Sequence, residues 1–207
     1  MKIEEAYNIW AEQYDTNRNK TRDLDQKVTI EILGKYNFED VIELGCGTGK
    51  NTEYLLTRAK NIRALDFSQE MLNKARNKIL DSRVNFQKAD VTKNWDVING
   101  FADLITSSLI LEHVDDLNFI FHQAFIKLRP KGIFFISELH PFKQYLGTKA
   151  RYENEKGIHE LKTFTHHISQ FTNSAKINNF KLLELSEWSD NEIKNEVPRL
   201  ISFVFQK

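Results

Sequence analysis

An alternation of glycines gives the sequence its clearest chemical signal. Gly45, Gly47 and Gly49 follow the apolar run Val41–Leu44 and precede a stretch that favours a helix. Glycine permits a tight turn and lets a ligand approach the backbone closely. Free N–H groups at the start of the following helix favour a negatively charged group. This arrangement predicts a strand–loop–helix unit that binds a small ligand through its backbone.

Three kinds of ligand-binding loop compete for this segment. A phosphate-binding loop of the form GxxxxGK[ST] is disfavoured, because Lys50 is followed by Asn51 and because Leu44 stands where the first glycine belongs. A dinucleotide-binding loop of the form GxGxxG is disfavoured, because Lys50 occupies the third glycine position. The form GxGxG, preceded by the acidic residue Glu43, fits without exception.

Four further segments follow the glycine loop in a fixed order. The glycine loop itself, residues 43–49, resembles the first motif of the class I S-adenosylmethionine-dependent methyltransferases, of the kind that acts on small molecules. Residues 64–72, 88–91 and 107–114 resemble the second, third and fourth motifs of that family. Residues 128–132 resemble the turn before the fifth strand of that family. The glycine loop alone is weak evidence, whereas five motifs in family order are strong. The resemblance implies S-adenosylmethionine as the cofactor and methyl transfer to a small-molecule acceptor.

The resemblance also implies a set of cofactor-binding residues. Asp66 ends the second predicted strand, 21 residues after Gly45, and would accept both ribose hydroxyls, as the acidic residue of dinucleotide-binding folds does. Asp90 resembles the acid that accepts the adenine amino group, and Cys46 is a small filler between two glycines. The predicted set is Tyr14, Arg22, Glu43, Gly45, Cys46, Gly47, Gly49, Asp66, Phe67, Ser68, Met71, Asp90, Val91 and Ser107.

The N-terminal stretch, residues 1–22, resembles the lead-in helix that covers the cofactor in many such enzymes. Tyr14 would close the site, and the planar guanidinium of Arg22 would pair with the methionine carboxylate. An amphipathic helix that packs on the core explains Trp10 and Tyr14 equally well, and a surface charge beside a helix start explains Arg22. Both interpretations stay open at this point.

Methyl transfer needs a base only if the acceptor must lose a proton. His140 follows the fifth predicted strand, and in open α/β sheets ligands bind beyond the carboxyl ends of the strands. Any histidine could instead cap a helix or satisfy a hydrogen bond in the core. No third ligand accompanies His140 and His166, so no metal site is predicted. The catalytic candidates are His140, His166 and His113, and further candidates are Glu138, Tyr145 and His167.

Two other functions remain as alternatives. Tyr145 and Lys149 match the YxxxK spacing of short-chain NAD(P)-dependent dehydrogenases, but Gly132 stands where that family places its serine, and the glycine loop begins too late. A non-catalytic protein that binds S-adenosylmethionine would keep the same glycines and the same acidic residue. Nucleic-acid methyltransferases are disfavoured, because residues 107–110 lack the Asn/Asp-Pro-Pro-aromatic motif and the single cysteine, Cys46, does not follow a proline.

Alternating apolar runs and amphipathic stretches predict the elements that position these residues. Strands are predicted over residues 41–44, 62–66, 84–87, 102–107, 132–138, 180–187 and 200–205. Helices are predicted over residues 23–36, 51–59, 68–80, 116–128 and 169–178, with caps at Ser68 and Ser169. With the resemblance, this order predicts a Rossmann-like α/β fold. It has a doubly wound, mostly parallel seven-stranded sheet, an antiparallel last strand and helices on both faces. A single domain over residues 1–207 is expected, with residues 141–167 inserted at the acceptor site.

Composition narrows the setting of this domain. The chain of 207 residues carries 29 basic and 29 acidic side chains, which gives no electrostatic footprint for nucleic acid. No apolar run approaches the roughly 20 residues that span a bilayer. A single cysteine excludes an internal disulfide and indicates a reducing compartment. We therefore expect a cytoplasmic protein that acts on a small molecule without a membrane or nucleic-acid partner, and its oligomeric state stays open.

Overall fold

The computed structural model describes residues 3–16, 19–148, 151–154, 157–190 and 197–207. Its main sheet is built from β1 Asp40–Leu44, β2 Asn61–Asp66, β3 Val84–Lys88, β4 Ala102–Ser108, β5 Leu128–Leu139, β8 Lys181–Trp188 and β9 Leu200–Gln206. These strands lie in the order β3-β2-β1-β4-β5-β9-β8. The first five pair in parallel, whereas β9 runs antiparallel to both β5 and β8. The predicted Rossmann-like sheet with an antiparallel last strand is confirmed.

Helices cover both faces of this sheet. They are α1 Ile3–Trp10, α2 Lys20–Leu33, α3 Lys50–Leu56, α4 Gln69–Lys78, α5 Leu117–Lys127, α6 Pro141–Tyr145 and α7 Ile168–Ile177, and a separate hairpin pairs β6 Arg151–Asn154 with β7 Gly157–Glu160. Side chains alternate between faces along a strand, so Leu104 packs with α2, α3 and α4, and Ile105 packs with α5 and α7. The main core therefore consists of two apolar layers, one on each face of the sheet, and these layers hold the strands in position.

The predicted starts of α2, β5 and α7 are wrong. α2 begins at Lys20 and not at residue 23, because the Asn19 side chain caps it by accepting a hydrogen bond from the Arg22 amide. β5 begins at Leu128 and not at Gly132, because the pairing with β4 shifts register near Ala102 and so accommodates Pro130, which has no N–H to donate. Helix α7 begins at Ile168, so the predicted cap Ser169 lies inside the first turn. The predicted cap Ser68 is confirmed, because its side chain accepts a hydrogen bond from the Met71 amide.

Residues 141–167, the segment expected at the acceptor site, contain the short helix α6 and the hairpin β6–β7. Tyr145 ends α6 and its hydroxyl is hydrogen-bonded to Nδ1 of His167. Lys149, the second residue of the YxxxK match, lies outside the described residues. Among the helices that the structure describes, none has the length and apolar character needed to cross a bilayer.

Candidate active site

A cavity of about 430 Å³ opens beyond the carboxyl ends of β1, β2, β3 and β4. This is the edge at which open α/β sheets bind ligands. Among the predicted site residues, its wall contains Tyr14, Gly45, Gly47, Asp66, Phe67, Met71, Asp90, Val91 and His113. The structure thus brings together residues that are nearly one hundred positions apart in the chain.

The glycine loop forms the floor of this cavity. Gly45 has a φ of +70°, and a Cβ atom there would lie 2.3 Å from Cγ2 of Ile110, so the loop after β4 can approach only because no side chain is present. Gly47 has a φ of +54°, and a Cβ atom there would meet nothing within 4 Å. The space beside Gly47 is therefore open to a ligand, as the sequence predicts for a residue that admits close approach.

Asp66 lies at the centre of the cavity wall with its carboxylate held by the backbone. Oδ2 accepts a hydrogen bond of 2.9 Å from the Gly47 amide, and Oδ1 accepts one of 2.8 Å from the Ser68 amide. Burial raises the pKa of Asp66 to about 6, although the amide donors of Ser68, Gly47 and Phe67 oppose this shift. The group is thus poised to change charge near neutral pH, and it can accept further donors from a ligand.

A second carboxylate, Asp90, lies at the far side of the cavity. Its Oδ1 accepts hydrogen bonds from the amide and the hydroxyl of Thr92, at 2.9 and 2.6 Å. Val91 and Met71 supply apolar surface beside it. A flat ring with an exocyclic amino group suits this combination of an acceptor and apolar walls.

Five predicted cofactor residues lie behind the cavity wall and support it. Oε2 of Glu43 accepts a 2.6 Å hydrogen bond from Thr52, and burial raises the pKa of Glu43 to about 8. The thiol of Cys46 is buried, which raises its pKa well above the usual value and leaves it protonated. Ser68 caps α4, and Gly49 precedes α3. Ser107 is fully buried, and its neighbour Ser108 lines the cavity in its place.

The N-terminal segment contributes residues to the wall of the cavity. Tyr14 belongs to the wall, and the Arg22 side chain donates to the Tyr14 carbonyl oxygen with its guanidinium 3.9 Å from the centre of the Tyr14 ring. Helix α1 is anchored by Asn8, whose Oδ1 accepts a 2.7 Å hydrogen bond from the Ser68 hydroxyl. Arg22 is not part of the wall that the described residues form. It contacts Tyr14, which is part of that wall.

The three predicted histidines lie in different surroundings. His113 belongs to the cavity wall. Nδ1 of His140 accepts from the Phe142 amide at 3.1 Å and so caps α6, and its Nε2 bonds to Glu187 of β8 at 2.9 Å, so both ring nitrogens of His140 are engaged. Nε2 of His166 faces the carbonyl oxygens of Leu111 and Val114. Neither His140 nor His166 is part of the described wall.

Comparisons with known proteins agree with this geometry. Residues 42–136 match the family model described as a methyltransferase domain. The chain is similar to this methyltransferase family over slightly less than half of its length. A ubiquinone biosynthesis O-methyltransferase from Coxiella burnetii is 28% identical over 181 residues, which cover 84% of this chain and 74% of that protein.

Solved structures share the fold of this chain. An S-adenosylmethionine-dependent methyltransferase from Clostridium acetobutylicum has a TM-score of 0.71 at 20% identity and covers 96% of each chain. The DhpI-SAM-HEP complex has a TM-score of 0.77 at 20% identity and covers 98% of this chain and 94% of its own. Both comparisons concern the fold, which this chain shares over nearly its whole length.

Besides Glu4 and Thr92, sequence reasoning missed two polar residues in the wall of the cavity. Tyr7 of α1 is one of them, and its hydroxyl lies 2.9 Å from Nε2 of His113. Nδ1 of His113 faces the Lys162 carbonyl oxygen at 3.1 Å, which only accepts, so Nδ1 carries the proton and Nε2 accepts from Tyr7. Ser108 is the other. An aromatic residue at the inner face of an amphipathic first helix was the available signal for Tyr7.

Glu138 acts on the cavity from outside it. Its Oε1 accepts hydrogen bonds from the amides of Ile110 and Leu111, at 3.0 and 2.8 Å. Burial raises the pKa of Glu138 well above its ordinary value. This side chain therefore fixes the loop that carries Ile110 onto Gly45, and in the described structure it supports the cavity.

Proposed function

We propose that this chain transfers a methyl group from S-adenosylmethionine to a hydroxyl group of a small-molecule acceptor. The observation that carries the proposal is the Asp66 carboxylate, held by the Gly47 amide at the wall of a cavity large enough for a nucleoside. When bound, the cofactor supplies a methyl group already activated on a sulfonium, so the protein mainly has to align donor and acceptor.

The residues of the cavity fit this cofactor group by group. Asp66 would accept the ribose hydroxyls, and Asp90 would accept the adenine amino group, with Met71 against the ring. Gly45 and Gly47 would leave room for the methionine moiety, and the open space beside Gly47 supports this part of the proposal. Residues 1–22 would act as the cover, with Tyr14 closing the site.

His113 would act as the base among the three predicted histidines, because it belongs to the cavity wall. Burial lowers the pKa of His113, so the ring is neutral at physiological pH and able to take a proton. Its Nε2 already accepts from Tyr7, so the proton of an acceptor hydroxyl would reach Nε2 directly or through the Tyr7 oxygen. His140 and His166 stay as predicted candidates, but their ring contacts favour structural roles.

Residues 141–167 would form the acceptor side of the site. Gln144 of α6 donates to Oε2 of Glu112 at 3.3 Å, and the Phe164 amide donates to the Glu112 carbonyl at 2.7 Å, so this segment adjoins the turn that carries His113. An oxygen acceptor is supported by the Coxiella burnetii relative, which is an O-methyltransferase of ubiquinone biosynthesis. A cytoplasmic location is part of the proposal and is supported by the single buried cysteine.

Release of S-adenosylhomocysteine tests the proposal. The purified protein is incubated with S-adenosylmethionine and separate panels of phenols, carboxylic acids and amines. We expect product with a hydroxylated acceptor, and we expect S-adenosylmethionine, but not NAD(P)H, to raise the melting temperature. Binding of the cofactor without release above background for any acceptor would favour the non-catalytic alternative. Stabilisation by NAD(P)H alone would contradict the proposal altogether.

A further inference from the structure

A buried pair of side chains lies beside the cavity with unmet hydrogen-bonding capacity. Nδ2 of Asn51 donates to Oδ2 of Asp25 at 2.9 Å, and Asp25 is only 4% exposed. The second oxygen of each side chain, Oδ1 of Asp25 and Oδ1 of Asn51, is buried without a partner among the described residues. Both of these atoms accept hydrogen bonds and neither can donate, so the missing partner must be a donor.

Hydroxyl groups extend this unsatisfied region toward the cavity. Oγ of Ser137 and Oγ1 of Thr29 are likewise buried and without a partner in the part of the chain that the structure describes. Burial raises the pKa of Asp25, and hydrogen bonding by the side chains of Ser137, Asn51 and Ser108 opposes this rise. The two hydroxyls therefore lie beside the Asp25 carboxyl, although the Ser137 hydroxyl does not reach the geometry of a full hydrogen bond. Because Ser108 also belongs to the cavity wall, the region around Asp25 adjoins the cavity.

Charge narrows the identity of the missing donor. A buried carboxylate is costly unless a positive group accompanies it. The rise that burial causes in the pKa of Asp25 is also opposed by the positive charge of Lys50, but Nζ of Lys50 is bonded to Asp23 at 2.8 Å. The missing donor is therefore best supplied by a ligand that is positively charged and carries several N–H groups.

The position of Asp25 in α2 indicates which chemical group of the ligand would supply the missing donor. Arg22 precedes Asp25 by one helical turn, so the two residues lie on the same side of α2. Arg22 packs on Tyr14, which also lines the cavity. A cation and an anion at this spacing match the carboxylate and the ammonium of an α-amino acid, and the methionine end of the cofactor carries both.

We propose that Asp25, oriented by Asn51, binds the α-ammonium group of the cofactor and thereby selects nucleosides with an intact amino-acid end. The proposal rests on the proposed function, because it assigns part of the same site. Asp25 is a binding residue and takes no part in proton transfer. S-adenosylhomocysteine carries the same ammonium, so it serves as a stable probe.

Calorimetry with two probes tests the assignment. S-adenosylhomocysteine and its deaminated analogue, in which hydrogen replaces the amino group, are titrated into the wild type, Asp25→Asn and Asp23→Asn. We expect Asp25→Asn to weaken S-adenosylhomocysteine binding about 10- to 100-fold, as for the loss of a charge-assisted hydrogen bond. The deaminated analogue should bind the wild type and Asp25→Asn equally. Asp23→Asn removes the same charge at an exposed position and should change neither affinity.

Other results would overturn the assignment. Equal affinity of Asp25→Asn and wild type for S-adenosylhomocysteine would mean that only water completes the buried region. Stabilisation of the ligand-free wild type by potassium chloride but not by choline chloride, abolished in Asp25→Asn, would mean that an alkali cation is the occupant. Failure of the wild type to bind S-adenosylhomocysteine would instead contradict the proposed function itself.

Asn51→Ala provides a second variant in case Asp25→Asn does not fold. It removes the donor that orients Asp25 while leaving the carboxylate in place. We expect a smaller loss, about 5- to 10-fold, of affinity for S-adenosylhomocysteine and no loss for the deaminated analogue. An equal loss for both probes would show a general effect on the cavity and would contradict the assignment.

Discussion

Asp66 and Gly47 are joined by a 2.9 Å hydrogen bond that runs from the Gly47 amide to the carboxylate oxygen Oδ2. The other oxygen of Asp66 accepts from the Ser68 amide, which begins the capping turn of α4. One side chain therefore connects the glycine loop after β1 to the helix after β2. Its carboxylate faces the cavity from the point where these two segments meet.

Asp66→Ala should remove cofactor binding and keep the fold. Two ligand hydrogen bonds to a charged acceptor are lost, and each is worth about 1.5–3 kcal/mol, so affinity should fall at least about 100-fold. Calorimetry with S-adenosylhomocysteine measures the loss, and circular dichroism checks the fold. Asp81→Ala, which removes an aspartate paired with Arg83 at the surface, is the matched control. Unchanged affinity in Asp66→Ala would show that the site is wrongly assigned.

Cofactor affinity should rise with pH through the pKa of Asp66, which burial brings to about 6. The ionised carboxylate accepts donors with both oxygens, whereas the protonated form gives up one of them. Affinity for S-adenosylhomocysteine should therefore be constant above about pH 7 and fall toward pH 5. Calorimetry across this range gives the profile. In Asp66→Asn the affinity should be lower throughout and the slope absent, and an identical slope would assign the titration to another group.

Glu43→Gln should stabilise the protein in alkali. Burial raises the pKa of Glu43 to about 8, above its ordinary value of 4.5, so the native state holds this proton more firmly than the unfolded chain. The contribution of this proton to the free energy of unfolding is thus fully present below pH 4.5, where the unfolded chain is also protonated. It is lost as pH rises through about 8. Urea unfolding at pH 9 should show a gain of roughly 1–3 kcal/mol for Glu43→Gln, and at pH 5 little change. Glu53→Gln, an exposed partner of Lys78, should show neither effect.

The sequence predicted those wall residues whose position follows from the one strand or loop that carries them. Asp66 and Asp90 follow parallel strands, whose carboxyl ends meet at one edge, and Gly47 lies in a loop with a recognisable spacing. The described wall contains Ser108, and the role predicted for Ser107 stays a prediction. Which of these two neighbours faces the cavity depends on how β4 leaves the sheet. Pairing with β1 and β5 sets that exit, and no pattern within the strand reveals it.

Histidine roles depend on partners that are distant in the chain. His140 contacts Glu187, which is 47 residues away, and the tautomer of His113 depends on a carbonyl 49 residues away. The sequence favoured His140 because it follows a predicted strand, and it indicated His113 only as a further candidate base. Only the folded contacts distinguish a ring that caps a helix from a ring that faces a cavity.

Gly47→Ala should separate binding from folding. The added methyl group meets no protein atom within 4 Å and projects into the space that a ligand would occupy. Its positive φ costs about 1 kcal/mol for alanine. We expect a small fall in melting temperature and a loss of cofactor affinity of at least about 10-fold. Gly45→Ala is the contrast, because its methyl group would lie 2.3 Å from Ile110 and should destabilise the fold strongly. A Gly47→Ala protein with normal affinity would contradict the open path beside this loop.

His113→Gln should lower turnover while leaving cofactor affinity nearly intact. Glutamine can keep hydrogen bonds to Tyr7 and to the Lys162 carbonyl but cannot take a proton. General-base catalysis is commonly worth about 10²- to 10⁴-fold in rate, so a drop in kcat of this order is expected with a hydroxyl acceptor. His140→Ala is the control, because it removes a cap of α6 and a contact to Glu187. It should lower the melting temperature and affect kcat less than His113→Gln does. If His140→Ala lost turnover and His113→Gln kept it, the base would lie at the end of β5, and the proton path through the Tyr7 side of the cavity would be wrong.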